Sequence, residues 1–271
     1  GLGHEVAGEV VKIGAKVTKF KVGDKVLIEP GVPDDTCEYC RTGRYNICPG
    51  VDFMATQPNY KGALTQYMTH PEEWTYHIPE GMTTMEGALV EPAAVGMHAA
   101  VLGGAQPGKS IVILGGGTIG LMVLQACISL GATDITVVDV IEKRLELAKK
   151  LGAARVINGK EEDTVAVLRS EEMYGDHGVD LVFEAAGAVF TAQQAVQIVS
   201  RGGKIMMVGT QSKPVPIDFL KINREVTIQT SFRYCNNFPQ TIEAISSGRF
   251  NVKDMVTNIY DYEDVQKAFE E

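Results

Sequence analysis

An apolar run that ends in a glycine turn, then a helical segment, then a second apolar run closed by an acid, constrains this chain more than any other feature. The stretch reads Ser110-Ile-Val-Ile-Leu-Gly115-Gly-Gly117-Thr-Ile-Gly120, continues as an apolar helical run, and closes as Ile135-Thr-Val-Val-Asp139. Two strands joined through a helix lie parallel, with the helix packed on the sheet. The glycines have separate tasks. Gly115 permits a tight turn, Gly117 lets backbone approach a pyrophosphate, and Gly120 lets the helix pack close to the strand. Thr118 and Ile119 open the helix, whose unpaired N–H groups and positive dipole end face the phosphates. Asp139 lies nineteen residues past Gly120, where an acid reaches a ribose 2′-OH. A carboxylate there accepts from the hydroxyl of NAD and repels the 2′-phosphate of NADP. Arg144 is placed to lie over the adenine, although an exposed helix arginine is the competing reading. Asp139 has a competing reading too, as a strand-end cap for the next helix.

This texture extends well beyond the motif. Apolar runs recur near 110–114, 135–139, 155–157, 179–184, 204–209 and 226–231, with helical runs such as Lys143–Lys150 and Thr191–Val199 between most of them. Such alternation predicts an α/β fold with a doubly wound parallel sheet. Val208 and Gly209 end one of these runs at the edge where the cofactor crevice is expected. A helix is predicted to open at Pro92, a favoured first-turn position. Residues 1–91 differ. Short β-branched runs such as Val6–Ile13 and Lys25–Ile28 are punctuated by Gly, Asp and Pro, which predicts a small β-rich domain. The chain thus divides into 1–91, 92–233 and 234–271, the last holding helical runs near 238–247 and 262–271.

Bulk properties exclude several classes. Net charge is −9, which disfavours nucleic acid and anionic membrane partners. No apolar run approaches a membrane span. Five cysteines, three of them crowded at Cys37, Cys40 and Cys48, do not form a secreted disulfide framework. They point to metal or redox chemistry in a reducing, cytoplasmic compartment.

The opening Gly3-His4-Glu5-x-x-Gly8-x5-Gly14-x-x-Val17, with Val22-Gly-Asp-Lys-Val26, the glycine turn and the crowded cysteines, resembles the zinc-dependent medium-chain dehydrogenases. Four segments narrow the resemblance to the sorbitol and xylitol polyol dehydrogenases: Ile28–Gly31, Gly43–Asn46, Glu91-Pro92 and Phe232–Asn236. The resemblance covers essentially the whole chain. It implies a GroES-like catalytic domain over 1–91, a Rossmann NAD-binding domain over 92–233, and a return segment over 234–271 that packs on the catalytic domain.

It also implies roles. His4 matches a catalytic zinc ligand. Glu5 lies in or beside the metal shell, and Glu91 contacts the metal-bound water or the substrate. A catalytic zinc needs neutral imidazole, thiolate or carboxylate donors and one open position. The family's cysteine ligand would precede Gly1, so the chain reads as a fragment lacking an N-terminal piece and a short C-terminal one. Asp34, Cys37, Cys40 and Cys48 match the spacing of the family's structural zinc loop, with Asp34 in place of the first cysteine. Reduced, unmetallated thiols are the alternative there. Arg233 and Tyr234 are implied to hydrogen-bond a polyol, and Phe232 to contribute backbone beside the nicotinamide. The implied activity is zinc-dependent, NAD-linked oxidation of a polyol to a ketose by a homotetramer or homodimer. Two rivals stay open: a zinc alcohol, threonine or glucose dehydrogenase, and a non-catalytic dinucleotide-binding protein.

Overall fold

The computed structural model describes residues 1–56 and 61–270. Its first part is built of short strands: β1 (Ala7–Glu9), β2 (Lys25–Ile28), β3 (Gly31–Val32), β4 (Asp52–Phe53) and β5 (Thr75–His77). β1, β2 and β5 form an antiparallel sheet, and β3 pairs with β4. Of the predicted extended run Val6–Ile13, only Ala7–Glu9 pairs, opposite Lys25–Leu27. A short helix α1 (Glu38–Arg41) interrupts the cysteine loop. Helix α2 (Thr84–Ala88) opens on a capping box, in which the Thr83 hydroxyl accepts from Glu86 N–H while the Glu86 carboxylate accepts from Thr83 N–H. Such reciprocal bonding satisfies two otherwise orphaned donors.

Helix α3 (Val90–Gly103) follows directly and starts two residues before the predicted Pro92. Glu91 therefore sits in a helical first turn, and the expected boundary between residues 91 and 92 falls within a continuous helix. Most of α3 is small and buried, as expected of a helix apolar on all sides. A Cβ at Gly96 would lie 2.5 Å from the Met122 carbonyl carbon, so glycine there lets two helices nearly touch.

The remainder is the predicted alternation: β6 (Ser110–Leu114), α4 (Thr118–Ser129), β7 (Asp134–Asp139), α5 (Glu142–Lys150), β8 (Arg155–Asn158), α6 (Thr164–Leu168), β9 (Val179–Glu184), α7 (Val189–Ile198), β10 (Val199–Met207), β11 (Thr227–Thr230), α8 (Phe238–Ser246) and α9 (Val265–Glu270). The six strands form one parallel sheet in the order β11-β10-β9-β6-β7-β8. β6 is thus the start of two halves wound in opposite directions, and the crevice between β6 and β9 is the switch point where such sheets bind ligands. β10 begins five residues earlier than predicted, because its pairing with β9 slips between Val199 and Lys204 around a glycine pair. The predicted helix 262–271 is a 3₁₀ turn followed by α9, and Glu271 lies outside the described residues. α3, α4 and α8 join one apolar core, and the opposite sheet face forms a second core with α7. No helix of the described residues is long and apolar enough to cross a membrane.

Candidate active site

Sequence-distant residues converge at the first turn of α3. The ligand atoms of His4, Glu5 and Glu91 lie within 4.8 Å of one another. His4 comes from the segment before β1 and Glu91 from the first turn of α3. His4 Nε2 is 3.8 Å from Glu91 Oε1. Burial, aided by the nearby Arg233 charge, lowers the His4 pKa, which favours the neutral imidazole a metal requires. Glu91 is buried, and the Tyr234 hydroxyl donates to its Oε1 at 2.8 Å. Burial pushes the Glu91 carboxyl up to about 8, against the opposing effect of that hydrogen bond.

Arg233 adds a donor with no assigned acceptor. Its guanidinium lies 3.8 Å over the Phe53 ring and 4.7 Å over Phe232. Its Nη1 is buried without a hydrogen-bond partner. The turn that presents it is unusual, with Arg233 at φ 52° and Asn236 at φ 58°. Left-handed backbone at a non-glycine residue persists only where its surroundings enforce it. Here the cysteine loop does so. Asn46 donates to the Phe232 carbonyl at 2.9 Å, Asn236 Nδ2 to the Gly43 carbonyl at 2.7 Å, and Asn236 N–H to the Tyr45 hydroxyl oxygen at 2.8 Å.

Glu29 was not assigned from sequence. It is 1% exposed and accepts from Tyr45 at 2.7 Å and Tyr76 at 2.9 Å. Burial pushes its carboxyl up to about 7, more than the two hydroxyls pull it down. An acid directly after the apolar run Lys25–Ile28 was the available signal, the same signal that singled out Asp139.

The second cluster holds Asp34, Cys37, Cys40 and Cys48, again within 4.8 Å of one another. Cys37 Sγ is 3.4 Å from Cys40 Sγ, and Cys40 Sγ is 3.6 Å from Asp34 Oδ1. Donors around a tetrahedral zinc at about 2.3 Å stand roughly 3.7 Å apart, so one aspartate and three cysteines fit the ion. N–H groups of Thr36 and Cys37 hold the Asp34 carboxyl down to about 2, in its ligating form. Gly50 packs so closely that a Cβ there would lie 2.6 Å from Asp34 Oδ2. The first cluster suits a catalytic ion instead, with imidazole and carboxylate donors and open sides. A groove of about 510 Å³ runs along β1 and is lined by none of His4, Glu5 and Glu91.

Along the sheet's carboxyl edge, Gly115 has φ 108°, which glycine tolerates readily. Gly117 caps α4, followed by Thr118, Ile119 and Gly120. A Cβ at Gly120 would lie 1.8 Å from the Gly115 carbonyl oxygen. Asp139, at the end of β7, accepts from Gly116 N–H at 2.7 Å and from Val140 and Ile141 N–H at 2.8 and 2.9 Å. It therefore braces both the glycine turn and its own strand exit. Arg144 reaches back to Asp139 Oδ2 at 3.5 Å. Val208 and Gly209 leave β10 by donating to the Glu184 carbonyl.

A two-cluster β-rich domain beside a doubly wound sheet with this glycine turn is the arrangement of a zinc-binding dehydrogenase. The family models agree: "Alcohol dehydrogenase GroES-like domain" matches residues 1–80 and "Zinc-binding dehydrogenase" residues 118–247. The chain is 66% identical to the zinc-type alcohol dehydrogenase-like protein YdjJ of Escherichia coli K12, over 100% of this chain and 78% of that protein. It is 43% identical to a sorbitol dehydrogenase of Bacillus subtilis, over 99% of this chain and 76% of the relative. A zinc-binding dehydrogenase from Sinorhizobium meliloti, solved bound to NADP, superposes with a TM-score of 0.94 at 26% identity, over 100% of this chain and 79% of the other. The chain belongs to the zinc-dependent medium-chain dehydrogenases, in the branch that includes the sorbitol and xylitol enzymes.

Proposed function

We propose that this protein oxidises a secondary hydroxyl of a sugar alcohol to the ketose, with NAD as hydride acceptor. The observation that carries this reading is the buried, unpartnered Arg233 Nη1 beside the Tyr234–Glu91 hydrogen bond. A polyhydroxylated substrate needs convergent donors and acceptors, and a site with unpaired buried polar atoms discriminates against analogues that lack the matching groups. His4, Glu5 and Glu91 would hold the catalytic zinc. Zinc bound there supplies Lewis acidity that lowers the pKa of a hydroxyl. Arg233 and Tyr234 orient the remaining substrate hydroxyls, and Phe53 with Phe232 holds the guanidinium plane in place. Phe232 also offers backbone to the nicotinamide. Asp34, Cys37, Cys40 and Cys48 would hold a second zinc that shapes the loop behind Arg233.

Gly115, Gly117, Thr118, Ile119 and Gly120 would cradle the pyrophosphate, with Val208 and Gly209 further along the crevice. The Asp139 carboxylate supports NAD rather than NADP, since it repels a 2′-phosphate. The relative solved with NADP makes the cofactor choice a direct object of the test. The division into 1–91, 92–233 and 234–271, and a homodimer or homotetramer, complete the reading.

The test is reduction of NAD and of NADP at alkaline pH with zinc, across sorbitol, xylitol, threonine, glucose and simple alcohols. The product of the complete reading frame is assayed beside residues 1–271. Polyol turnover with NAD is expected. Turnover confined to threonine, glucose or simple alcohols would overturn the substrate class. Dinucleotide binding without turnover in either protein would favour a binding protein.

A further inference from the structure

Glu184 is fully buried at the carboxyl end of β9, and none of the roles above uses it. Its register partners are Leu114, the last residue of β6, and Met207, the last of β10. It therefore stands at the switch point, where a dinucleotide crosses the sheet edge. Four donors converge on its carboxylate. Oε1 accepts from Ala186 N–H at 3.0 Å, Gly187 N–H at 2.9 Å and the Thr191 hydroxyl at 2.7 Å. Oε2 accepts from the Gln211 side-chain amide at 2.7 Å. The Glu184 carbonyl takes Val208 N–H at 2.8 Å and Gly209 N–H at 2.9 Å.

The segments so held are in contact with each other and with the glycine turn. A Cβ at Gly115 would lie 2.8 Å from Ala186 N, and one at Gly209 would lie 2.3 Å from Gly187 N. One carboxylate thus ties the turn 185–187, which packs against Gly115, to the loop 208–211. A buried carboxylate is costly unless fully hydrogen-bonded, and here every bond goes to one of these two segments or to the first turn of α7.

We propose that Glu184 and Gln211 are positioning residues for the nicotinamide half of the cofactor, locking the turn 185–187 and the loop 208–211 into one rigid floor. This rests on the dinucleotide reading of the crevice. With the adenosine ribose at Asp139 on the β7 side, the other half of the molecule crosses to β9 and β10, where this floor lies. Neither side chain needs to touch the cofactor, because their effect runs through the backbone of Gly187, Val208 and Gly209.

Two ligands that differ only by the nicotinamide make the proposal testable without substrate or metal. NADH and ADP-ribose share the adenosine, pyrophosphate and ribose groups, and ADP-ribose lacks the nicotinamide. Calorimetric titration of each ligand gives the comparison. Gln211→Glu sets a second carboxylate against Glu184, and like charges so placed repel strongly. It is expected to weaken NADH about tenfold and ADP-ribose less than about twofold. Gln211→Ala, which removes the donor without adding charge, is expected to show the same split at smaller size. Glu184→Gln alone is expected to be mild. Its amide oxygen keeps the three Oε1 donors, and the Gln211 amide turns over so that its own oxygen, unpartnered in the wild type, accepts from the new amide. The double variant Glu184→Gln/Gln211→Glu re-pairs an amide with a carboxylate and is expected to recover NADH binding.

Equal weakening of both ligands would mean general destabilisation of the sheet edge and would overturn the proposal. So would unchanged NADH binding in Gln211→Glu, or no recovery in the double variant. Failure of the wild type to bind either ligand would overturn the cofactor reading itself, and the proposal with it.

Discussion

Replacing Glu29 by glutamine should change how the protein's stability depends on pH, and the sign follows from the site. Burial raises the Glu29 carboxyl from 4.5 to about 7. Between those two values the folded chain holds a proton at Glu29 that the unfolded chain has released. Stability from this group is therefore fully present below about 4.5 and is lost as pH rises toward about 7. At about 1.4 kcal/mol per pH unit, the interval corresponds to roughly 3 kcal/mol. Glutamine has nearly the same shape and no charge to desolvate. Its carbonyl can accept from one tyrosine hydroxyl, and its NH₂ can donate to the oxygen of the other. Urea unfolding of both proteins at pH 5 and pH 8 isolates the effect, because every other titrating group is common to the two. The glutamine variant is expected to gain roughly 3 kcal/mol on the wild type between the two conditions. Parallel pH dependences would refute the reasoning and mean that Glu29 is already ionised at pH 5 in the folded protein.

Two other perturbations address the dinucleotide site. Gly120→Ala would bring a methyl group to 1.8 Å from the Gly115 carbonyl oxygen. That backbone cannot retreat without moving β6, so a loss of about 2 kcal/mol in unfolding free energy is expected, overpacking outweighing the better helix propensity of alanine. NADH titration should show weaker binding, and an unchanged affinity would refute the claimed close packing. Asp139→Ala removes the acceptor for Gly116, Val140 and Ile141 N–H. It should weaken NAD more than NADP in paired titrations, and an unchanged preference between the two would remove Asp139 from the ribose site.

Period and punctuation made the sheet legible. β6, β7 and β9 are buried along nearly their whole length because both faces are covered, and glycine or acid marks their carboxyl ends. β10 was harder, since its start lies before the glycine pair that breaks its register with β9. A strand following a helix with no intervening loop leaves no turn signal to read. The start of α3 was missed for a similar reason, because Leu89 serves as both the cap of α2 and the entry to α3. The sets His4, Glu5, Glu91 and Asp34, Cys37, Cys40, Cys48 were read through the family resemblance, and the structure brings each set together. The Glu29 network was not legible, because its members Tyr45 and Tyr76 are 16 and 47 residues away and no local pattern joins them. Side chains that act through tertiary hydrogen bonds carry no periodic signature.

The same networks explain how two chemically separate halves hold one alignment. Glu91 stands on the first turn of α3, and the glycine turn stands at the start of α4. These two helices nearly touch where a Cβ at Gly96 would meet the Met122 backbone. Small residues along α3 thus make the spacing between Glu91 and the glycine turn a property of helix packing rather than of flexible loops. Arg233 and Tyr234 approach from the other side, at the exit of β11, and hydrogen bonds to Gly43, Tyr45 and Asn46 hold their turn. Arg233 and Tyr234 are therefore set by the cysteine loop, and the glycine turn by the α3–α4 interface. On the proposed function, productive geometry requires both constraints together, so residues far apart in sequence depend on one another for a single alignment.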